Sequence, residues 1–221
     1  MRDFELPGRS TAYGQHGMAA TSHPLATLAA LDVLRDGGNA VDAAIAAAAV
    51  LAVVEPGMTG IGGDCFVLLA PASGGVVALN GSGRSPLALT PEALIGRGIT
   101  GLDGGSPHAV TVPTAVAGWA ALLEAHGTRE LGWLLQPAIG CAEGGFPVTP
   151  RVALDWSRHH DVLERSDGGI EHPLTQGQST FLGVVARRLD QICFGAGPKV
   201  SGLQRRSPKA CFFSCAVRFG V

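Results

Sequence analysis

From Ala43 to Val54 the chain runs through 12 consecutive apolar residues, with Asp42 just before them and Glu55-Pro56 just after. A helix with one apolar stripe can lie on a surface, but one that is apolar all round must be covered on every side. Twelve residues fall short of the roughly 20 that span a bilayer, so the cover is expected to be protein. This segment therefore demands a layered fold with a helix at its centre. Aromatic residues are only 5% of the chain, so Ala, Val and Leu must build that centre.

The flanks of the segment fix its ends. Asn39 is a good N-cap, and Asp42 three residues on completes a capping-box pattern. Pro56-Gly57 stops the helix. Upstream, GMAAT (17–21) reads as a short strand. Ser22 is the expected N-cap of a helix opening at His23-Pro24, which places Leu25, Leu28, Leu31 and Leu34 at spacing three and ends at Gly37-Gly38. Downstream, CFVLLAP (65–71) and GVVALNGSG (75–83) read as a largely buried hairpin turning at Ser73-Gly74-Gly75. Pro91 opens a short helix, and HAVTVPT (108–114) reads as a further strand. Helices follow at AVAGWAALLEAHG and ELGWLLQPAIGCAEGG, the second broken near Pro137, then from Thr149-Pro150 onward. Helices around a central hairpin imply an α/β (α+β) fold with helical layers on sheet.

Charge divides the chain near Gln178. Residues 1–178 hold nine Arg, no Lys and seventeen acids, and residues 179–221 hold seven bases and only Asp190. The tail shows neither strand alternation nor a helical stripe. It is either a basic tail for a partner or sequence out of its native frame, disordered as it stands, and the lost periodicity favours the second. Overall the net charge is −2, which gives no reason to expect nucleic acid or a membrane as partner. No apolar stretch follows Arg2, so no secretory signal is expected and the location should be cytoplasmic.

Few motifs survive a chemical test. The turn GMTGIGGD has Gly60 and Gly62 at the first and third places of a dinucleotide fingerprint, but Cys65 stands at the sixth and the order is helix to strand. No Lys precedes residue 199, which excludes a phosphate-binding P-loop. The five cysteines have no metal-like spacing, so neither metal nor cofactor is expected. Cys65, followed by Phe66-Val67-Leu68, reads as a buried thiol in preference to a nucleophile. His159 and His160 read as part of a solvated helix face, and His16 and His23 as structural groups bonded to backbone. Arg84, in LNGSGRSP, stands at a strand end among small residues, where its planar fork suits a carboxylate; the alternative is an ion-pairing surface Arg.

Together QHGMAATSHPLAT, LRDGGNAVDAAIAAAAVLAVVEPGMTGIGG, LLQPAIGCAEGGFPVTPR and DGGIEHPLTQGQ resemble the start of the large subunit of the γ-glutamyltransferase (glutathione hydrolase) family. The resemblance covers residues 15–178, leaving 179–221 as the atypical tail. It implies an N-terminal nucleophile hydrolase sandwich, αββα, incomplete in this chain. It also implies a precursor that cuts itself in two, freeing a threonine that attacks the γ-glutamyl amide with its own α-amino group as base. The acyl group then passes to water or an amino acid. This chain stops before the expected threonine and oxyanion glycines, so no catalytic residue is assigned. It is expected to be inactive without the missing small subunit. The family's carboxylate-binding arginine stands four residues before a proline, which here is Ser82; Arg84 is two residues later. Residues two apart on a strand face one side, about 6.5–7 Å along, so Arg84 and Ser82 are the candidate substrate-binding pair. A non-catalytic module binding small carboxylates is the competing reading.

Overall fold

The computed structural model describes residues 12–102 and 106–164. In chain order the elements are α1 (Pro24–Arg35), α2 (Ala40–Val54), β1 (Cys65–Leu69), β2 (Val77–Gly81), α3 (Pro91–Ile95), a 3-10 turn (Pro107–Ala109), α4 (Ala115–His126), α5 (Leu131–Leu134), α6 (Gln136–Gly144) and α7 (Pro150–Glu164). The tail at 179–221 lies outside the described residues.

Helix α2 is the centre that its sequence demands. Thirteen of its fifteen residues are buried, and α1, α4, α5 and α6 all pack on it. Its alanines let neighbouring backbones approach closely, so dispersion contacts replace the bulk that large side chains would give. The capping box forms as expected: Asn39 Oδ1 accepts from Val41 N–H (2.9 Å) and Asp42 N–H (3.1 Å), and Asp42 Oδ2 accepts from Asn39 N–H (2.8 Å).

Helix α1 corrects the expected N-cap, and small residues form its core face. Its core face is Ala26, Ala29, Ala30 and Val33, whereas Leu28 is 49% exposed. Residues three apart fall about 60° short of a full turn at 3.6 residues per turn, so four leucines at that spacing sweep halfway round the helix. The N-cap is His23 and not Ser22: His23 Nδ1 accepts from Leu25 N–H at 3.2 Å, while Ser22 Oγ is bonded to Glu55 Oε2. At the other end Gly37, with φ of 81°, closes a Schellman pair: Gly38 N–H reaches Val33 O (2.9 Å) and Gly37 N–H reaches Leu34 O (3.1 Å). Residues 17–21 form no strand; Ala20 alone makes a bridge.

Strands β1 and β2 pair antiparallel in the register Cys65↔Gly81, Val67↔Leu79, Leu69↔Val77. The hairpin is half-buried, not largely buried as its composition suggested. Helix α4 covers one face through Gly118, where a Cβ would stand 3.1 Å from Cys65 Cβ and 3.3 Å from Leu79 Cδ2. On the other face Phe66 (45%) and Leu68 (79%) are exposed.

The strand expected at 108–114 is absent. Ser106 caps the 3-10 turn at its start, and Pro113 removes a ladder donor, so the segment runs extended without joining the sheet. The break expected near Pro137 is present, falling at Leu135 between α5 and α6. Thr149 takes the N-cap role before Pro150, its Oγ1 accepting from Val152 N–H at 3.4 Å.

Candidate functional site

Beyond β2 the chain continues as Ser82-Gly83-Arg84, and both flanking candidates are exposed. What holds this segment comes from two other places in the sequence. From the turn before β1, Asp64 Oδ1 accepts the Gly83 N–H at 2.9 Å. From the segment before α4, Val112 N–H donates to Arg84 O at 3.0 Å. Thr114, at the N-cap of α4, also donates its hydroxyl to Gly81 O instead of capping its own helix. The α4 start is capped by Gly63 O, which accepts from Thr114 N–H (3.1 Å) and Ala115 N–H (2.9 Å). The three segments thus close on one another at the head of α4.

Gly83 makes this closure possible. A Cβ there would stand 2.0 Å from Val112 O and 2.9 Å from Thr111 Oγ1. Only a residue without a side chain lets 82–84 lie this close to 111–112. Ser82 N–H is satisfied locally by Asn80 Oδ1 at 3.0 Å. Among the described residues no carboxylate pairs with the Arg84 guanidinium. Its backbone is fixed and its charged end reaches solvent.

Asp64 and Thr114 escaped the sequence reading. The signal available for Asp64 was an acid directly before a strand whose antiparallel partner ends in glycines. Thr114 carried the weaker signal of a helix-opening threonine.

Cys65 is buried and packs on Gly118. His23 is 2% exposed, bonds backbone as expected, and meets the Phe146 ring edge-on at 6.4 Å. Burial holds its imidazole below the usual histidine range, against the opposing pull of Glu55. His16 is exposed. His159 and His160 belong to α7, and their side chains lie outside the described residues. No group of three or more His, Cys, Asp or Glu able to hold a metal occurs among the described residues, and no described helix is long and apolar enough to cross a membrane.

A hairpin with a glycine-rich approach, covered by helices on one face and bare on the other, is part of the N-terminal nucleophile hydrolase sandwich. The γ-glutamyltranspeptidase of Helicobacter pylori superposes on it with a TM-score of 0.75 and 30% identity, over 84% of this chain and 56% of that one. The family profile described as gamma-glutamyltranspeptidase matches residues 26–186, and the chain belongs to that family. The oxamate amidohydrolase proenzyme of Klebsiella pneumoniae is 39% identical over 178 residues, 77% of this chain and 33% of the relative. The acylase ACY 1 proenzyme of a Pseudomonas species (strain V22) is 39% identical over 213 residues, 92% of this chain and 37% of the relative. That last match is too long to stop at Gln178 and runs into the basic tail. The chain spans about a third of the length of the curated relatives it matches.

Proposed function

We propose that these residues are the N-terminal part of a γ-glutamyltransferase- or glutathione hydrolase-like amide hydrolase, with Arg84 receiving the free carboxylate of the acyl donor and Ser82 beside it. The observation that carries the reading is Arg84 itself: exposed, without an ion pair among the described residues, and held by its backbone at the end of β2. A guanidinium so placed offers two parallel N–H donors to a carboxylate. In the reaction, a threonine hydroxyl attacks the amide carbonyl while an amine takes its proton. The amine product then leaves, and the acyl-enzyme is opened by water or an amino acid.

That threonine is supplied by sequence outside the 221 residues, so they are inactive alone. Two observations support this. The chain spans about a third of its relatives' length, and its buried Cys65 is not placed to act as a nucleophile. The relatives are named for oxamate and for acylase activity as well as for γ-glutamyl transfer, so the acyl group is left open within amides that carry a carboxylate.

The test is steady-state hydrolysis of a γ-glutamyl anilide and of an uncharged acyl anilide by the complete proenzyme carrying these residues. Arg84→Ala is expected to raise KM for the γ-glutamyl donor by about 30- to 100-fold, the worth of a bidentate charged contact, and to leave the uncharged donor unchanged. An unchanged KM for both removes Arg84 from the site.

A further inference from the structure

The function of Arg84 depends on where its backbone is held, and that holding is done by residues that no substrate need touch. We propose that Asp64 and Thr114 are positioning residues for the carboxylate site, fixing the 81–84 segment so that Arg84 is presented ready-made to an acyl donor. The inference rests on the proposed role of Arg84.

Three hydrogen bonds carry it, one from the turn before β1 and two from the segment that opens α4. Asp64 Oδ1 takes the Gly83 N–H (2.9 Å), Thr114 Oγ1 donates to Gly81 O, and Val112 N–H donates to Arg84 O (3.0 Å). The peptide units 81–82, 82–83 and 84–85 are therefore pinned, and a Cβ at Gly83 would close the remaining space against Val112 O at 2.0 Å. Ladder pairing of β2 ends at Gly81, so the sheet does not hold these residues. Without the clamp, 82–84 is an exposed strand end beside glycines, and Arg84 would sample many directions. Ordering a mobile backbone on binding carries an entropic cost that a backbone already pinned avoids. Gly63 O, which caps α4, ties the Asp64 turn to the same helix that carries Thr114, so the two clamp arms share one rigid mount.

The bonding chemistry separates variants that a general packing role would not. Asp64→Asn keeps an acceptor oxygen for Gly83, and Asp64→Ala does not. Thr114→Ser keeps the donor for Gly81 O, and Thr114→Val does not while matching the original volume.

The experiment is an NMR titration of the full 221-residue chain with glutarate, reading the Gly83 amide and the Arg84 Nε–H signals. In the unaltered chain the Gly83 amide is protected and glutarate shifts Arg84 Nε–H. Asp64→Ala and Thr114→Val are expected to speed exchange of the Gly83 amide and to weaken glutarate binding about five- to tenfold, the worth of one positioning hydrogen bond. Asp64→Asn and Thr114→Ser are expected to stay within about twofold of the original. If Asp64→Ala fails to fold, the Thr114 pair decides the same question. Glutarate binding unchanged in Asp64→Ala or Thr114→Val, but lost in Arg84→Ala, overturns the positioning role and leaves the carboxylate site standing. An Arg84 signal that glutarate never moves overturns the carboxylate reading instead, whatever the Gly83 amide does.

Discussion

Asp42 and Thr128, 86 residues apart in the chain, are joined twice: Thr128 N–H donates to Asp42 Oδ1 at 2.9 Å, and Thr128 Oγ1 donates to Asp42 Oδ2 at 2.5 Å. Arg129 N–H adds a third bond to Oδ1 at 3.2 Å, and Asn39 N–H adds the capping-box bond to Oδ2. Asn39 Nδ2 meanwhile donates to His126 O at 2.6 Å. The capping box of α2 is thus also the clasp that ties the α4–α5 connection to the start of the central helix.

Breaking this clasp is expected to be costly because the carboxylate is fully buried. Asp42→Ala strands the N–H groups of Asn39, Thr128 and Arg129, and should cost about 3 kcal/mol or more. Thr128→Val removes one donor and should cost about 1–2 kcal/mol, whereas Thr128→Ser should be nearly silent. Urea unfolding monitored by circular dichroism measures all three. Equal stability of Asp42→Ala and the original chain would contradict the clasp.

Stability should fall in acid, with one contribution beginning below pH 6.5 and a second below pH 3.8. Burial holds His23 below its ordinary value of 6.5, so the folded state binds fewer protons than the unfolded chain as pH falls below that value. The contribution of neutral His23 is complete above pH 6.5 and is lost as pH falls towards its folded pKa. Asp42 follows lower down. Burial pushes its carboxyl up, but hydrogen bonds from the Thr128 hydroxyl and from the Asn39, Thr128 and Arg129 amides together leave it below its ordinary value of 3.8. Its contribution is present above that value and is lost as pH falls through the folded pKa. His23→Asn keeps an N-cap acceptor without titrating, and should flatten the upper step of a Tm-against-pH curve while leaving the lower one. A curve for His23→Asn parallel to the original would show that another group causes the upper step.

Gly83→Ala should disturb the site, and Gly60→Ala should not. The first places a Cβ 2.0 Å from backbone, which cannot yield as a side-chain end would; the second meets nothing within 4 Å. A loss of about 1–3 kcal/mol is expected for Gly83→Ala, with faster amide exchange across 111–114. Comparable effects of the two substitutions would mean that the close approach at Gly83 is not what holds 82–84.

The bare face of the hairpin should make the chain self-associate. Phe66 and Leu68 are exposed side by side on β1, in a hairpin that pairs with no further strand among the described residues. Phe66→Thr with Leu68→Lys should lower the apparent mass in concentration-dependent sedimentation without changing Tm by more than a few degrees. Unchanged association would place the contact elsewhere.

Much of this architecture is legible in local sequence. The caps at Asn39 and Thr149, the Gly37-Gly38 ending, the hairpin turn and the break before Pro137 are each written within a few residues. Failures occur where local pattern competes with helical geometry or distant partners. The leucines of α1 form a tidy spacing of three, yet that spacing spirals off the core face, and the small residues between them do the packing. His23 displaces Ser22 as N-cap because Glu55, far along the chain, takes the serine hydroxyl. At the candidate site the sequence offers Arg84, a chemically distinctive residue in a glycine-rich strand end. The residues that hold it were not legible: Asp64 and Thr114 act on backbone groups 19 and 33 positions away, and no periodicity marks such pairs.

We propose that these 221 residues belong to an amide hydrolase whose nucleophile lies outside them. Hydrolysis of γ-glutamyl-p-nitroanilide by the purified chain, with its intact mass recorded on the same sample, tests it most directly. No p-nitroaniline release above buffer is expected. Release that scales with protein and persists through further purification would place the catalytic group within this chain, with Cys65 the first residue to substitute, and would contradict the account.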